Sequence, residues 1–269
     1  MPTKILSIIT INKNNAAGLE KTIQSVVGQT SIDFEYIVID GASGDESVAV
    51  IKKHADKIDY WISEPDEGIY NAMNKGIQKA QGNYCLFLNS GDWLVSPETL
   101  DNLFKEVTGN TADIFYGDRI NSDNSFVSYP QVLDISFLIK KPISHQNALI
   151  KCSLFFEHGL YNEELKICSD WEFFLNELWK YKSSFCHIKT NISVFDINGV
   201  GSQAVEKREA ENIIVFNNVF NGLADIIIEY KNFHKTIYYD IVKNNYDSKF
   251  LAFWVKVYRK IVKIRGAIT

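Results

Sequence analysis

The chain has 269 residues, 46% hydrophobic and 23% charged, proportions that suit a soluble globular protein of one large domain, or one domain plus an appendage. With 17 Phe, 13 Tyr and 5 Trp, its core is expected to be aromatic. A formal net charge of −5 argues against a general nucleic-acid binder, so no nucleic-acid partner is expected.

The opening MPTKILSIITIN lacks the long apolar stretch and cleavage site of a signal peptide, which makes the cytoplasm the expected location. Lys4–Ile11 is an apolar, β-branched run that reads as a buried strand, and Asn15–Val27 carries Leu19, Ile23, Val26 and Val27 at helical spacing. Phe34–Ile39 reads as a second strand, and Ser43 with Glu46 as a capping box opening a helix to about His54. Ile58–Ile62 is a short third strand. Gly68–Ala80 puts Ile69, Ala72, Met73, Gly76, Ile77 and Ala80 on one stripe of a helix, and Tyr84–Leu88 is a fourth strand. Pro97 suits the first turn of a further helix, to about Val107.

Strands alternating with helices without long gaps imply parallel strands covered on both faces. In such sheets ligands bind outside the carboxyl ends of the strands. After about residue 110 the rhythm changes. Strands are expected in 113–118, 125–129, 147–151 and 184–197, and helices in 134–140 and 169–181. From Ala204 the chain reads as helical to its end, with a break near 244–247. Cys85, Cys152, Cys168 and Cys186 lie far apart without C-x-x-C spacing, and read as buried or free thiols in a reducing compartment. No run of about 18 apolar residues predicts a membrane-spanning helix.

The early strands all end in polar residues: Thr10, Asn12, Lys13 and Asn14; then Asp40-Gly41-Ala42-Ser43; then Ser63-Glu64-Pro65-Asp66-Glu67; then Asn89-Ser90-Gly91-Asp92. In a parallel sheet these ends gather on one rim. Asp40 or Asp92 alone reads as a turn or cap acid. Two carboxylates on one rim, interleaved with Asn, Thr and Lys, point instead to a ligand, because carboxylates bind Mg2+ or Mn2+ that bridge to phosphates. No G-x-G-x-x-G or G-x-x-x-x-G-K-[ST] loop is present.

SIITINKN, VIDGASGD, SEPDEGIYNAMNKGIQKAQGNYCLFLNSGD and the later CSDWEF together resemble a family 2 glycosyltransferase of the bacterial surface-polysaccharide type. The resemblance is dense over about residues 4–120 and sparser to about 203. It implies the α/β GT-A fold, Rossmann-like, with a mainly parallel sheet flanked by helices, and a helical carboxyl-terminal appendage. Catalytic residues 1–203 would divide into a nucleotide-sugar half, 1–110, and an acceptor half, 111–203, with 204–269 beyond. It further implies a nucleotide-sugar donor, expected to be a UDP-sugar, a divalent Mn2+ or Mg2+, and inversion at the anomeric carbon.

By this resemblance Thr10, Asn12 and Lys13 line the nucleobase pocket and Asp40 contacts the base. Asp66 and Asn74 close over base, ribose and phosphates, and Asn89-Ser90-Gly91-Asp92 falls on the metal motif. The chain departs from the family there: Asn89 and Gly91 stand at acid positions, which leaves Asp92 to hold the metal and Asn89 and Ser90 to touch the donor. Met73 stands where many relatives carry Arg, with Lys75 as the substitute phosphate contact.

An inverting transfer needs a base for the acceptor hydroxyl. Read alone, Asp170 is a first-turn helix acid. The resemblance makes it the base, with Ser169 as the cap and Glu172 facing another side of the helix. His145-Gln146 and Asp118 fall on the acceptor side of the pocket. In 195–203, Gly199 and Gly201 permit a loop that orders over the donor. Residues 249–269 carry six Lys and Arg and no acid among Phe, Trp, Leu, Ile and Val. That composition suits either peripheral contact with an anionic membrane surface or packing on protein. The acceptor expected is a glycan or a lipid-linked glycan. A nucleotidyltransferase-like enzyme and an inactive nucleotide-sugar-binding protein remain alternatives; the first is disfavoured because 10–15 has no Gly and one Lys.

Overall fold

The computed structural model describes residues 4–197, 205–221, 223–225, 227–229 and 231–232. The glycine pair of 195–203 and the basic stretch 249–269, with the break expected near 244–247, lie outside the described residues.

Strand and helix alternate as the hydrophobic periodicity dictates: β1 (Leu6–Asn12), α1 (Ala16–Val27), β2 (Phe34–Asp40), α2 (Ser47–Lys53), β3 (Tyr60–Ser63), α3 (Ile69–Ile77), β4 (Tyr84–Phe87), β5 (Trp93–Leu94) and α4 (Thr99–Val107). The later part holds β6 (Ile114–Tyr116), β7 (Arg119–Asn121), β8 (Phe126–Val127), α5 (Ile135–Lys140), β9 (Ala148–Lys151), α6 (Cys152–His158), α7 (Ser169–Asn176), β10 (Phe185–His187), β11 (Ser193–Phe195) and α8 (Val205–Val219). Among the described residues no helix is long and apolar enough to cross a membrane.

A seven-stranded sheet runs β10-β6-β9-β4-β1-β2-β3. β1 pairs in parallel with β2 and β4, and β2 with β3, so the four polar strand ends share one rim. β9 is inserted antiparallel between β4 and β6, which makes the sheet mixed but mainly parallel. A second sheet, β5-β11-β7-β8, stands beside it. Each face of β1 is covered. Leu6 and Ile8 join Leu19, Ile23, Leu100 and Leu103 in one buried cluster. On the other face α3 lies so close that a Cβ on Gly76 would overlap Ile9. Met73, the residue in place of the expected arginine, is fully buried in this helix.

Four local expectations change. The capping box does not form: Glu46 makes no capping bond, and the Ser47 amide donates to Asp45 Oδ1 (3.0 Å). Ser43 instead serves Asp40, because a buried carboxylate claims available donors more strongly than a helix end near water. Ser169 does not cap α7 either; it is the first helical residue, and its buried hydroxyl has no partner among the described residues. The 169–181 helix is α-helical only to Asn176 and ends in a π-helical turn, Glu177–Tyr181. Finally, Cys85 and Cys152 are joined as a disulfide, with Cα atoms 5.6 Å apart, which corrects the expectation of four thiols. Cys85 lies on β4 and Cys152 directly follows β9, so the pairing of these strands brings the two together.

α8 packs on α7 through Phe216 against Trp171, ring centroids 5.2 Å apart, and through Glu211, which accepts bonds from the amides of Lys166, Ile167 and Cys168. The chain divides into compact units Met1–Val219 and Phe220–Thr269, which places α8 in the first.

Candidate active site

The rim of the sheet is organised around two carboxylates. Asp40, at the end of β2, is fully buried. Its Oδ1 accepts from Asn12 Nδ2 (2.7 Å) and Ser43 Oγ (2.6 Å), and its Oδ2 from the Ser43 amide (3.0 Å) and Ser63 Oγ (2.6 Å). Burial pushes its pKa up, but these hydrogen bonds prevail and hold it below the usual aspartate range. All four lone-pair positions are thus occupied by protein. The expected direct contact from Asp40 to a nucleobase would have to displace Ser43 or Ser63. The oxygen left open beside it is Asn12 Oδ1, buried and without a partner among the described residues. Thr10 is likewise enclosed, its hydroxyl bonded to the buried Tyr36 hydroxyl at 3.0 Å.

Asp66 packs where a Cβ on Gly41 would overlap it, accepts from the Gly68 amide (3.0 Å), and lies 3.9 Å from the exposed Lys13 ammonium. These residues border one end of the rim. Asn74 and Lys75 do not. Asn74 bonds both backbone groups of Tyr161 and also Glu163, which pins α3 to the 161–163 loop. Lys75 pairs with Glu64 (2.7 Å) and the Pro65 carbonyl (2.8 Å). Both side chains are engaged by the short polar connections nearest to them.

The second carboxylate, Asp92, closes the turn after β4. The turn is fastened from α1: Asn15 Nδ2 donates to the Ser90 carbonyl (3.0 Å), while Thr22 Oγ1 accepts from the Gly91 amide (3.0 Å) and donates to the Asp92 carbonyl (2.7 Å). Gly91 has φ +109°, a conformation that glycine adopts without strain. Asp92 is 3% exposed; Gln146 Nε2 donates to Oδ2 (3.0 Å) and the Asp196 amide to Oδ1 (2.8 Å). Burial raises its pKa to about 6, with the nearby Asp196 charge acting in the same sense. Asp196 was not a sequence candidate. It follows β11, far along the chain, and its Oδ2 lies 3.1 Å from where a Cβ on Gly91 would be.

A buried carboxylate whose ionisation is opposed, with a second carboxylate at the same corner, fits a hard divalent cation that takes its other oxygens from phosphate and water. The protein's share is small: among the described residues no three His, Cys, Asp or Glu side chains converge on a metal-sized site.

Asp170 enters from the first turn of α7. His145 Nδ1 donates to its Oδ2 (2.6 Å), and the Tyr70 hydroxyl (2.8 Å) and Trp171 amide (2.9 Å) donate to its Oδ1. Burial favours protonation of Asp170, but the His145 and Tyr70 bonds outweigh it and hold the pKa below the ordinary range. On its other side His145 Nε2 accepts from Asn89 Nδ2 (3.3 Å). His145-Gln146 therefore links Asp170 to Asn89 and Asp92. Glu172 points elsewhere, bonded to Asn162 and Asn218. Asp118 is held by the Tyr129 amide (2.8 Å) and His187 Nε2 (3.1 Å), with no bond to Asp92 or Asp170. Tyr70, like Asp196, was missed; its only sequence signal is its place on the buried stripe of α3.

Residues 7–162 match the family model for glycosyl transferase family 2. An uncharacterized glycosyltransferase of Mycobacterium tuberculosis is 34% identical over 206 residues, which cover 73% of this chain and 77% of the relative. The crystal structure of S. aureus TarS has a TM-score of 0.64 at 16% identity over 84% of this chain, which spans 42% of that TarS chain. Residues 1–349 of TarS in complex with UDP-GlcNAc give a TM-score of 0.65 at 15% identity, covering 84% of this chain and 71% of that one. The mannosyltransferase PcManGT from Pyrobaculum calidifontis, in complex with GDP-Man and Mn2+, gives 0.64 at 15% identity, covering 87% and 73%. At such identities the structural likeness shows the fold, that of the GT-A glycosyltransferases. The family match begins in β1 and takes in all four strand ends, and the chain belongs to glycosyl transferase family 2.

Proposed function

We propose that this glycosyltransferase is an inverting enzyme that moves a sugar from a UDP-sugar to a hydroxyl of a glycan or lipid-linked acceptor. Its setting would be the cytoplasmic face of the cell membrane, during assembly of a surface polysaccharide. The observation that carries the reading is the His145-Gln146 dipeptide, which bonds Asp170 with one side chain and Asp92 with the next. A carboxylate suited to proton removal and one suited to a diphosphate-bound cation are thereby fixed relative to each other.

Single displacement with inversion needs a base on the acceptor's side and relief of charge on the leaving group. Asp170 is anionic at neutral pH. His145, Tyr70 and the Trp171 amide fix its orientation and leave a lone pair for an acceptor hydroxyl. As the acceptor oxygen bonds to the anomeric carbon, its proton passes to Asp170 and the bond to the diphosphate breaks. Asp92 and Asp196 would hold the divalent cation, Mn2+ or Mg2+. When bound, that ion neutralises the departing diphosphate. Asn12 Oδ1 offers an acceptor to a nucleobase N–H, with Lys13 and Asp66 at the pocket's edge. UDP-GlcNAc in TarS and GDP-Man with Mn2+ in PcManGT support a nucleotide-sugar donor and a cation.

A thermal-shift screen of nucleotide sugars with and without Mn2+ identifies the donor, since a ligand of the folded state raises its apparent stability. With that donor, Asp92→Ala and Asp170→Asn should both abolish transfer, and only Asp92→Ala should greatly weaken metal-dependent donor binding. Turnover retained in Asp170→Asn removes the base assignment.

A further inference from the structure

Cationic side chains drawn partly out of water are normally met by a carboxylate. Arg119 is not, and the exposed Lys141 has no carboxylate partner either. Arg119, on β7, lays its guanidinium over the Phe195 ring, Cζ 4.9 Å from the centroid, and its Nε is buried with no hydrogen-bond partner. Lys141, just after α5, holds Nζ 5.3 Å from the centroid of Tyr129. No ion pair among the described residues includes either head group. A short path joins them: Arg119 follows Asp118, which accepts from the amide of Tyr129, the ring beneath Lys141; burial and then the Arg119 charge lower the Lys141 pKa, and Asp118 opposes them less strongly. Asp118 is itself engaged by the Tyr129 amide and His187.

The aromatic supports tie this pair to the catalytic groups. Phe195 precedes Asp196, whose amide bonds Asp92. The Tyr129 hydroxyl interacts with the backbone of Ser144, next to His145; burial raises its pKa, and the Asp118 and Asp170 charges add to this in the same sense. A guanidinium stacked on a ring keeps its in-plane N–H groups free for an oxyanion, and a lysine beside it adds a point charge.

We propose that Arg119 and Lys141 form a subsite for a phosphate or diphosphate group carried by the acceptor, so that the preferred acceptor is anionic and phosphate-linked rather than a neutral glycan. Its placement on the acceptor side rests on the reading of Asp170 and Asp92 given above; the anion site itself does not. The donor's diphosphate has the same chemistry, but the Asp92 corner already provides for it.

The test uses the full chain and the variants Arg119→Gln, Lys141→Gln and Arg119→Lys. Inorganic pyrophosphate is titrated calorimetrically in EDTA, so that no cation at Asp92 takes part. Wild type should bind, each Gln variant roughly tenfold more weakly, about the worth of one charge-assisted hydrogen bond, and Arg119→Lys should keep most of the affinity. No binding by wild type, or equal affinity in all variants, overturns the subsite. Lys141 is exposed, so Lys141→Gln carries the test if Arg119→Gln fails to fold. With the screened donor, KM for a polyprenyl-diphosphate-linked acceptor should rise about tenfold in the Gln variants, while KM for the donor and UDP affinity stay unchanged. A rise confined to the donor, or equal use of a neutral glycan by wild type, overturns the acceptor assignment. If no donor binds at all, the Asp170 and Asp92 reading fails while the pyrophosphate result still decides the anion site.

Discussion

Tyr70→Phe tests how the candidate base is tuned. The Tyr70 hydroxyl lies 2.8 Å from Asp170 Oδ1 and 2.7 Å from the Ile167 carbonyl, and it has one proton to share between them. Burial and the Asp170 charge raise the Tyr70 pKa well above the ordinary value, so the phenol remains a donor throughout the working range. A hydrogen bond to a charged group contributes about 1.5–3 kcal/mol. Assigning roughly half of that to Asp170, because the proton is shared, leaves about 1–1.5 kcal/mol. At 1.36 kcal/mol per pKa unit this corresponds to about one unit. The bond favours the anion, so its loss raises the Asp170 pKa. The acid limb of the pH–rate profile should move up by about one pH unit. The same shift should appear in the side-chain carboxyl carbon of Asp170, followed by NMR without any substrate. Stability should fall by about 1 kcal/mol, because the Ile167 carbonyl loses a partner. A folded variant whose acid limb and Asp170 titration both stay in place would refute the claim that Tyr70 tunes this carboxylate.

Other outcomes follow from the same geometry. Burial opposes the Asp40 charge, yet the bonds from Ser43, Ser63 and Asn12 keep its pKa depressed, so its contribution to stability is present above the ordinary aspartate pKa and lost as pH falls. Asp40→Asn should therefore lower Tm at pH 7, and the gap from wild type should narrow below about pH 4. Gly91→Asp introduces an acid into the turn, but at φ +109° and against Asp196 Oδ2. It should cost about 1–3 kcal/mol in denaturant unfolding and fail to tighten Mn2+ binding. Thiol titration of the unreduced, denatured chain should find the two cysteines outside the disulfide, Cys168 and Cys186, and all four after reduction.

The sheet was legible because its strands are short apolar runs with abrupt polar ends, and parallel pairing turns those ends into a rim. The roles along that rim were less legible. Asp40 and Asn74 look like ligands by position, but both are enclosed by donors or acceptors that only tertiary packing supplies. β5 and β8 are two residues long, below what an alternating pattern can mark, and β5 exists because β11 pairs with it. The pairing of Cys85 with Cys152 depended on the antiparallel insertion of β9, which nothing in the local sequence announces.

The corner after β4 shows most clearly why a motif can look incomplete in one dimension. Asn89 and Gly91 stand where the resemblance leads one to expect acids, and the turn accounts for both. Gly91 occupies a left-handed position that would strain an aspartate, and the space above it is taken by the carboxylate of Asp196. The second acid of the corner thus arrives from the end of β11, 104 residues after Asp92. Asn89 faces His145 Nε2, where its amide donates; a carboxylate there could only accept. An acid at 89 would favour a proton on Nε2 while Asp170 holds the one on Nδ1, setting a cation between two carboxylates. Such a neighbour would draw basicity away from Asp170. The neutral amide of Asn89 instead meets His145 Nε2, and the second carboxylate of the corner, Asp196, stands on the other side of the turn.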